Sequence, residues 1–165
     1  MLYDEDTRDH MLQEEKIFKV SSIVGFVADR APQYPAIVKD FEGQELLRQA
    51  CWFHARHYLV DAYFVDSRME MLLILINVLF YIERVFLQED DQSPEHRLEF
   101  RKEWSEPIVD RIMEMLKKMR AAGDKYGQMV HRTVDYILDD EDAFRTFLSD
   151  VRIDIHNIAI EMFQT

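Results

Sequence analysis

Two carboxylates far apart in the chain have the setting that metal-assisted chemistry needs. Asp29 closes SSIVGFVAD, in which Ile23, Val24, Phe26, Val27 and Ala28 form a nearly continuous apolar run. Such a run fits a strand buried on both faces, and α/β sheets present ligand-facing groups at the C-terminal ends of their strands. Glu161 lies in VRIDIHNIAIEMFQT. Read as a helix, this stretch puts Ile155, Ile158, Ala159 and Met162 on one core-facing stripe. Asp154, Asn157 and Glu161 then share a neighbouring polar face. Mg²⁺ is a hard cation that prefers oxygen ligands, and two-metal phosphoryl-transfer sites are built from such carboxylates. A plainer reading stays open, in which Asp29 starts the turn before Pro32.

A second group of reactive types sits in ACWFHARHYLVDA, which holds Cys51, Trp52, His54, Arg56 and His57. Cys-x-x-His is half of a zinc site, but no second Cys pair exists and the other histidines are scattered, which argues against structural zinc. A Cys51–His54 nucleophilic pair is conceivable and needs a low-pKa thiol. The plainer alternative is a buried Cys and a half-buried Trp at a core joint. Arg97, Arg101, Lys102 and Arg111 alternate with Glu99, Glu103 and Glu106, which reads as a solvated face with i, i+4 pairs. Lys117, Lys118, Arg120, Lys125 and Arg132 form the one locally basic stretch, read as plain surface in preference to a phosphate contact. The run Asp139 to Asp142 reads as a solvated loop with helix N-terminal acid. It lacks the alternating ligands and glycine of a calcium loop.

Positioning these groups requires a small α/β front and a long helical middle. A polar helix is expected over Thr7 to Phe18, a strand up to Asp29, and a loop at RAPQYP. A short helix over Ala36 to Phe41 and a strand over Leu46 to Cys51 follow. The pattern is helical from Trp52 onward. HARHYLVDAYFV gives one helix and Ser67 to Gln88 a longer one. Ser93 then Pro94 supply an N-cap and a first-turn proline, and that helix runs to about Trp104. Pro107 restarts a helix whose stripe is Ile108, Ile112, Met115, Leu116 and Met119, up to the Gly123 stop. Helices at Gln128 to Leu138 and Asp142 to Leu148 come next, and a last one is expected to begin near Asp154. The helical block would then bring Glu161 back to Asp29.

The 165 residues suffice for one domain with a real core. A formal charge of −12 disfavours free-standing nucleic-acid binding, because phosphate neutralisation supplies most of that affinity. The single cysteine excludes an internal disulfide and suits a reducing cytoplasm. No signal-peptide pattern is present. The most apolar stretch, Met71 to Ile82, is too short to span a bilayer and runs into Glu83 and Arg84.

Taken in order, these segments resemble the catalytic region of bacterial transposases of the insertion sequence 66 family. Ala28 to Ile37 resembles that family's strand-end Asp-Gly-Tyr-x-x-Tyr segment, and Arg48 to Ala62 its Cys-Trp-x-His-Ala-Arg-Arg segment. Arg152 to Glu161 resembles its Ile-Asp-Asn-Asn-x-x-Glu-Arg segment. Ser93 to Asp110 matches a milder pattern of Pro-Glu-x-Arg, Arg and Ser-x-Pro. The resemblance implies a DDE enzyme with a ribonuclease H-like core. It implies that Asp29 is the second metal-binding aspartate and Glu161 the catalytic glutamate, with Cys51, His54 and Asn157 lining the site. Arg30, His156, Ile158 and Met162 depart from the family's residues at their positions.

The expectation is therefore a mainly α protein with a partial ribonuclease H-like α/β core of two or three strands and a large all-helical insertion. Residues 1–51 form the partial α/β segment, 52–150 the insertion, and 151–165 the start of the helix carrying Glu161. The resemblance places the family's first aspartate before this chain and implies truncation at both ends. The expected function is that of a transposase fragment or remnant, inactive alone, that binds Mg²⁺ or Mn²⁺ weakly and DNA weakly. The protein is expected to be cytoplasmic, with no membrane partner and with scope for homo-oligomers. The alternative is an acidic helical interaction module without enzymatic activity.

Overall fold

The protein is described here from a computed structural model, covering residues 25–28 and 47–156. The helices expected at Thr7 to Phe18 and Ala36 to Phe41, and the residues Asp29, Asn157 and Glu161, lie outside the described residues.

Strands β1 (Gly25–Ala28) and β2 (Leu47–Ala50) pair in parallel, with Gly25 opposite Leu47 and Ala28 opposite Ala50. From Trp52 onward the described chain is mainly helical, as the apolar periodicity predicts. Helix α1 (Trp52–Val65) ends at Asp66, whose carboxylate accepts the Arg68 backbone N–H at 3.0 Å. That bond starts the 3₁₀ turn Ser67–Met69, which feeds α2 (Glu70–Phe86). Leu72, Ile76 and Leu79 of α2 are fully buried whereas Met71, Ile74 and Tyr81 are exposed, so the run from Met71 to Ile82, expected as a buried core helix, puts one face in the core and one in solvent. Among the described residues, no helix is long and apolar enough to cross a membrane.

Ser93 caps α3 (Pro94–Phe100) as expected, its hydroxyl accepting the His96 N–H at 3.2 Å. The break expected before Pro107 does not occur. A π-turn, Arg101–Ser105, joins α3 to α4 (Glu106–Ala121), and the Glu106 N–H donates to the Arg101 carbonyl. Proline lacks an N–H and its ring clashes with the carbonyl four residues back. The wider π-turn relieves that conflict without ending the helix. The buried stripe of α4 is Val109, Ile112, Met113, Leu116 and Met119, with Ile108 and Met115 only partly covered. The face is thus turned by about one residue from the expected one, because α4 packs against both α2 and α5 (Gln128–Leu138).

Gly123 follows α4 with φ +58°, a left-handed conformation that glycine adopts without a Cβ penalty. Helices α1, α2, α4 and α5 pack in a closed ring, each against the next, around one core. The short α6 (Glu141–Arg145) and the 3₁₀ turn Thr146–Leu148 lead back toward β2. Residues 151–156 form turns and bends, so the helix expected near Asp154 does not include residues 154–156. The Asp150 carboxylate accepts the Arg152 N–H at 3.0 Å, and such a side-chain turn competes with helix formation.

Candidate functional site

The parallel register puts the ends of β1 and β2 on one edge. Ala28, which precedes Asp29 in the sequence, pairs with Ala50, which precedes Cys51. The helical block begins there with Trp52 and returns to the same place. The Trp52 N–H donates to the Ile155 carbonyl at 3.0 Å. Ile153 and Ile155 are buried on arrival, and the His156 ring lies 5.8 Å from the Phe80 ring of α2.

Several long-range bonds hold this junction. Trp52 is fully buried, not half-buried as the sequence suggests. Its indole N–H donates to the Phe144 carbonyl at 3.0 Å, and the two rings meet edge to face at 4.8 Å. Gln49 is also fully buried; its amide oxygen accepts the Phe147 N–H at 2.7 Å and its nitrogen donates to the Ala50 carbonyl at 2.7 Å. The Thr146 hydroxyl donates to the Arg48 carbonyl at 2.7 Å, and Arg48 forms an ion pair with Asp140.

The predicted site residues divide accordingly. Cys51 is the N-cap residue of α1, fully buried, and its side chain makes no capping bond. With no exposed surface, the thiol is not presented to a substrate, and this counts against the Cys–His hydrolase reading. His54 lies in the first turn of α1 and is half-buried. Asp29, Asn157 and Glu161 are outside the described residues, so their meeting is not observed. Among the described residues, no group of three or more His, Cys, Asp or Glu could hold a metal ion.

The charged stretches serve the fold. Lys117 pairs with Glu141 at 2.8 Å, Lys118 with Glu114 at 2.5 Å, and Arg120 with Asp135 and Asp139 at 2.9 and 2.7 Å. Much of the basic stretch is thus neutralised by carboxylates. The acidic run is correspondingly not a merely solvated loop: Asp139 binds α4, Asp140 binds β2, and Glu141 binds Lys117 and Arg145. Burial pushes the Glu141 carboxyl up, but hydrogen bonds from Lys117 and Arg145 outweigh it and hold the group below its ordinary value. The Arg152 guanidinium, bonded to Asp150 at 2.6 and 2.9 Å, likewise holds that carboxyl low.

Sequence reading misplaced Arg101. Placed on a solvated face by its charged neighbours, it is fully buried. Its local signal was the Arg and Ser-x-Pro spacing within Ser93 to Asp110, since both Arg101 and Ser105 turn inward.

The helical block therefore begins after β2 and returns to it, closed by the Trp52 to Ile155 bond. The sequence matches the family described as Transposase IS66 family over residues 7–162, and the chain belongs to that family. The match spans Asp29, Cys51, His54, Asn157 and Glu161. No curated protein and no solved structure matches the chain.

Proposed function

We propose that this chain carries part of the strand-cleaving and strand-joining centre of a DDE transposase with a ribonuclease H-like core. Asp29 and Glu161 are the metal-ligating pair, and Cys51, His54 and Asn157 line the site. Residues 1–51 supply the α/β segment, 52–150 an all-helical insertion, and 151–165 the return to the site. The observation that carries this reading is the Trp52 to Ile155 backbone bond, which closes the insertion at the strand edge that Asp29 follows.

The donor set suits Mg²⁺ or Mn²⁺, because both carboxylates offer hard oxygens. When bound, such a cation supplies Lewis-acid polarisation of the phosphate and stabilises the leaving oxygen. The residues themselves do the rest. Asp29 is the residue after paired strand β1 in the sequence, and Glu161 lies six residues after Ile155, whose carbonyl is bonded to α1. Their negative charges repel a phosphate unless a cation intervenes, which ties DNA binding by this acidic chain to divalent metal. Only two carboxylates are assigned in this sequence, so the chain alone binds cation weakly and does not transfer strands.

Mn²⁺ binding followed by electron paramagnetic resonance, beside a nicking assay on supercoiled DNA, tests the reading. Weak binding that disappears in Asp29→Ala and in Glu161→Ala, without nicking, is the expected result. Binding that survives both substitutions removes the ligand assignment. Robust nicking that both substitutions abolish removes the claim of inactivity.

A further inference from the structure

The returning segment 147–154 is held by two arginines of the long helix. The Arg101 guanidinium is fully buried and meets Glu83 of α2 through two parallel bonds, Nε to Oε1 at 2.9 Å and Nη2 to Oε2 at 2.8 Å. Its Nη1 donates to the Phe147 carbonyl at 2.7 Å and the Ile153 carbonyl at 3.0 Å. The guanidinium also stands 5.1 Å from the centre of the Phe147 ring. Arg97, one turn earlier, donates to the Val151 carbonyl at 3.2 Å, to Glu83 at 3.3 Å and to Asp154 at 3.0 Å.

A buried charge is a poor way to gain stability, since well-packed apolar side chains do as well or better. It is a good way to fix one geometry, because a planar fork satisfied on all sides admits little movement. The geometry here is specific. The carbonyls of Phe147, Val151 and Ile153 in an irregular segment would otherwise lack protein partners from a regular ladder, and they end on these two guanidiniums. Two residues past Ile153, the chain reaches the Trp52 contact that returns it to the strand edge.

We propose that Arg101, held by Glu83 and assisted by Arg97, is a positioning residue that sets the path of the chain toward Glu161. The three side chains form a clamp between the helical block and the strand edge. They touch no reacting atom. The inference rests on the reading of Asp29 and Glu161 as one site.

The full chain tests it with Arg97→Ala, Arg97→Lys and Arg101→Lys. Arg97 is a quarter exposed, so Arg97→Ala keeps the test open if the Arg101 variant does not fold. One readout is amide hydrogen exchange of residues 147–156 against residues 106–121. The other is cross-linking of an Asp29→Cys, Glu161→Cys pair by a short bismaleimide in a Cys51→Ala background. In Arg97→Ala and Arg101→Lys, exchange of 147–156 is expected to rise about tenfold or more while that of 106–121 holds. Cross-linking is expected to fall about fivefold or more, with Arg97→Lys nearer the parent. Unchanged exchange overturns the clamp. So does faster exchange with undiminished cross-linking, since that is what a purely structural role gives. If the parent pair does not cross-link, the pairing of Asp29 with Glu161 fails. The positioning role then falls with it, and exchange decides only whether the arginines hold 147–156.

Discussion

The backbone N–H of Trp52 donates to the carbonyl of Ile155 across 3.0 Å, joining residues at the two ends of the helical block. The block between them contains the closed ring of α1, α2, α4 and α5. Its two ends therefore meet at one place, beside β2, and the side chains that fix this place can be tested one by one.

Trp52 is the side chain that most directly ties this junction. Trp52→Ala is expected to cost about 3–5 kcal/mol, the usual range for emptying a buried aromatic site. Trp52→Phe keeps a ring against Phe144 but loses the indole bond to the Phe144 carbonyl, and is expected to cost about 1–3 kcal/mol. Urea denaturation followed by far-ultraviolet circular dichroism measures both; a Trp52→Phe cost near zero would contradict the role given to the indole N–H, and equal costs would contradict the packing of the ring.

Gln49 makes a sharper case because it is polar and fully buried. Gln49→Leu keeps much of the volume and strips the Phe147 N–H of its 2.7 Å acceptor. A loss of about 1–3 kcal/mol is expected from that unsatisfied donor. A neutral result in the same denaturation experiment would mean that Phe147 finds another acceptor.

The basic stretch should matter little for DNA. Lys117 and Arg120 are already paired with carboxylates, so Lys117→Ala and Arg120→Ala are expected to change DNA affinity by less than about twofold and to leave its salt dependence nearly unaltered. Fluorescence anisotropy with a labelled duplex, titrated at several salt concentrations, checks this. A salt slope reduced by about one unit per substitution would identify them as phosphate contacts.

Acid should loosen the turn at Asp150 first where its carboxylate protonates. Hydrogen bonds from Arg152 hold its folded pKa below the ordinary 3.8. A depressed carboxylate contributes stability above its unfolded value and loses it as pH falls through the folded one. The stability gap between the parent and Asp150→Asn should therefore be present at neutral pH and close only below pH 3.8. Thermal unfolding of both proteins across that range gives the comparison, and a gap that closes between about pH 5 and 7 would point to a histidine instead.

Much of the scaffold was legible where local chemistry decides it. The apolar run before Asp29 gave β1, Ser93 and Pro94 gave the start of α3, and Gly123 marked the end of α4. Helix α5 spans Gln128–Leu138, the expected bounds. What local pattern could not show was how distant charges combine. Arg101 has the same sequence surroundings as an exposed arginine, and its burial depends on Glu83 and on carbonyls more than forty residues downstream. The acidic run misled for the same reason, since its partners are Arg48, Lys117 and Arg120. The carboxylate pair rests on residues outside the described ones, and there the resemblance carries more than geometry does.

The π-turn before Pro107 amounts to one residue absorbed into a helix. Arg101 and Val109 are eight residues apart and both buried. In an unbroken α-helix at about 100° per residue, that spacing would set them about 80° out of phase, whereas seven residues come within about 20° of two full turns. Deleting one of the exposed residues Lys102 or Glu103 would thus let a plain α-helix keep Arg101 and Val109 aligned. It would also return Pro107 to a regular helix interior, at a cost of about 3 kcal/mol. The deletion and a Pro107→Ala change are therefore linked, each more tolerable with the other than alone.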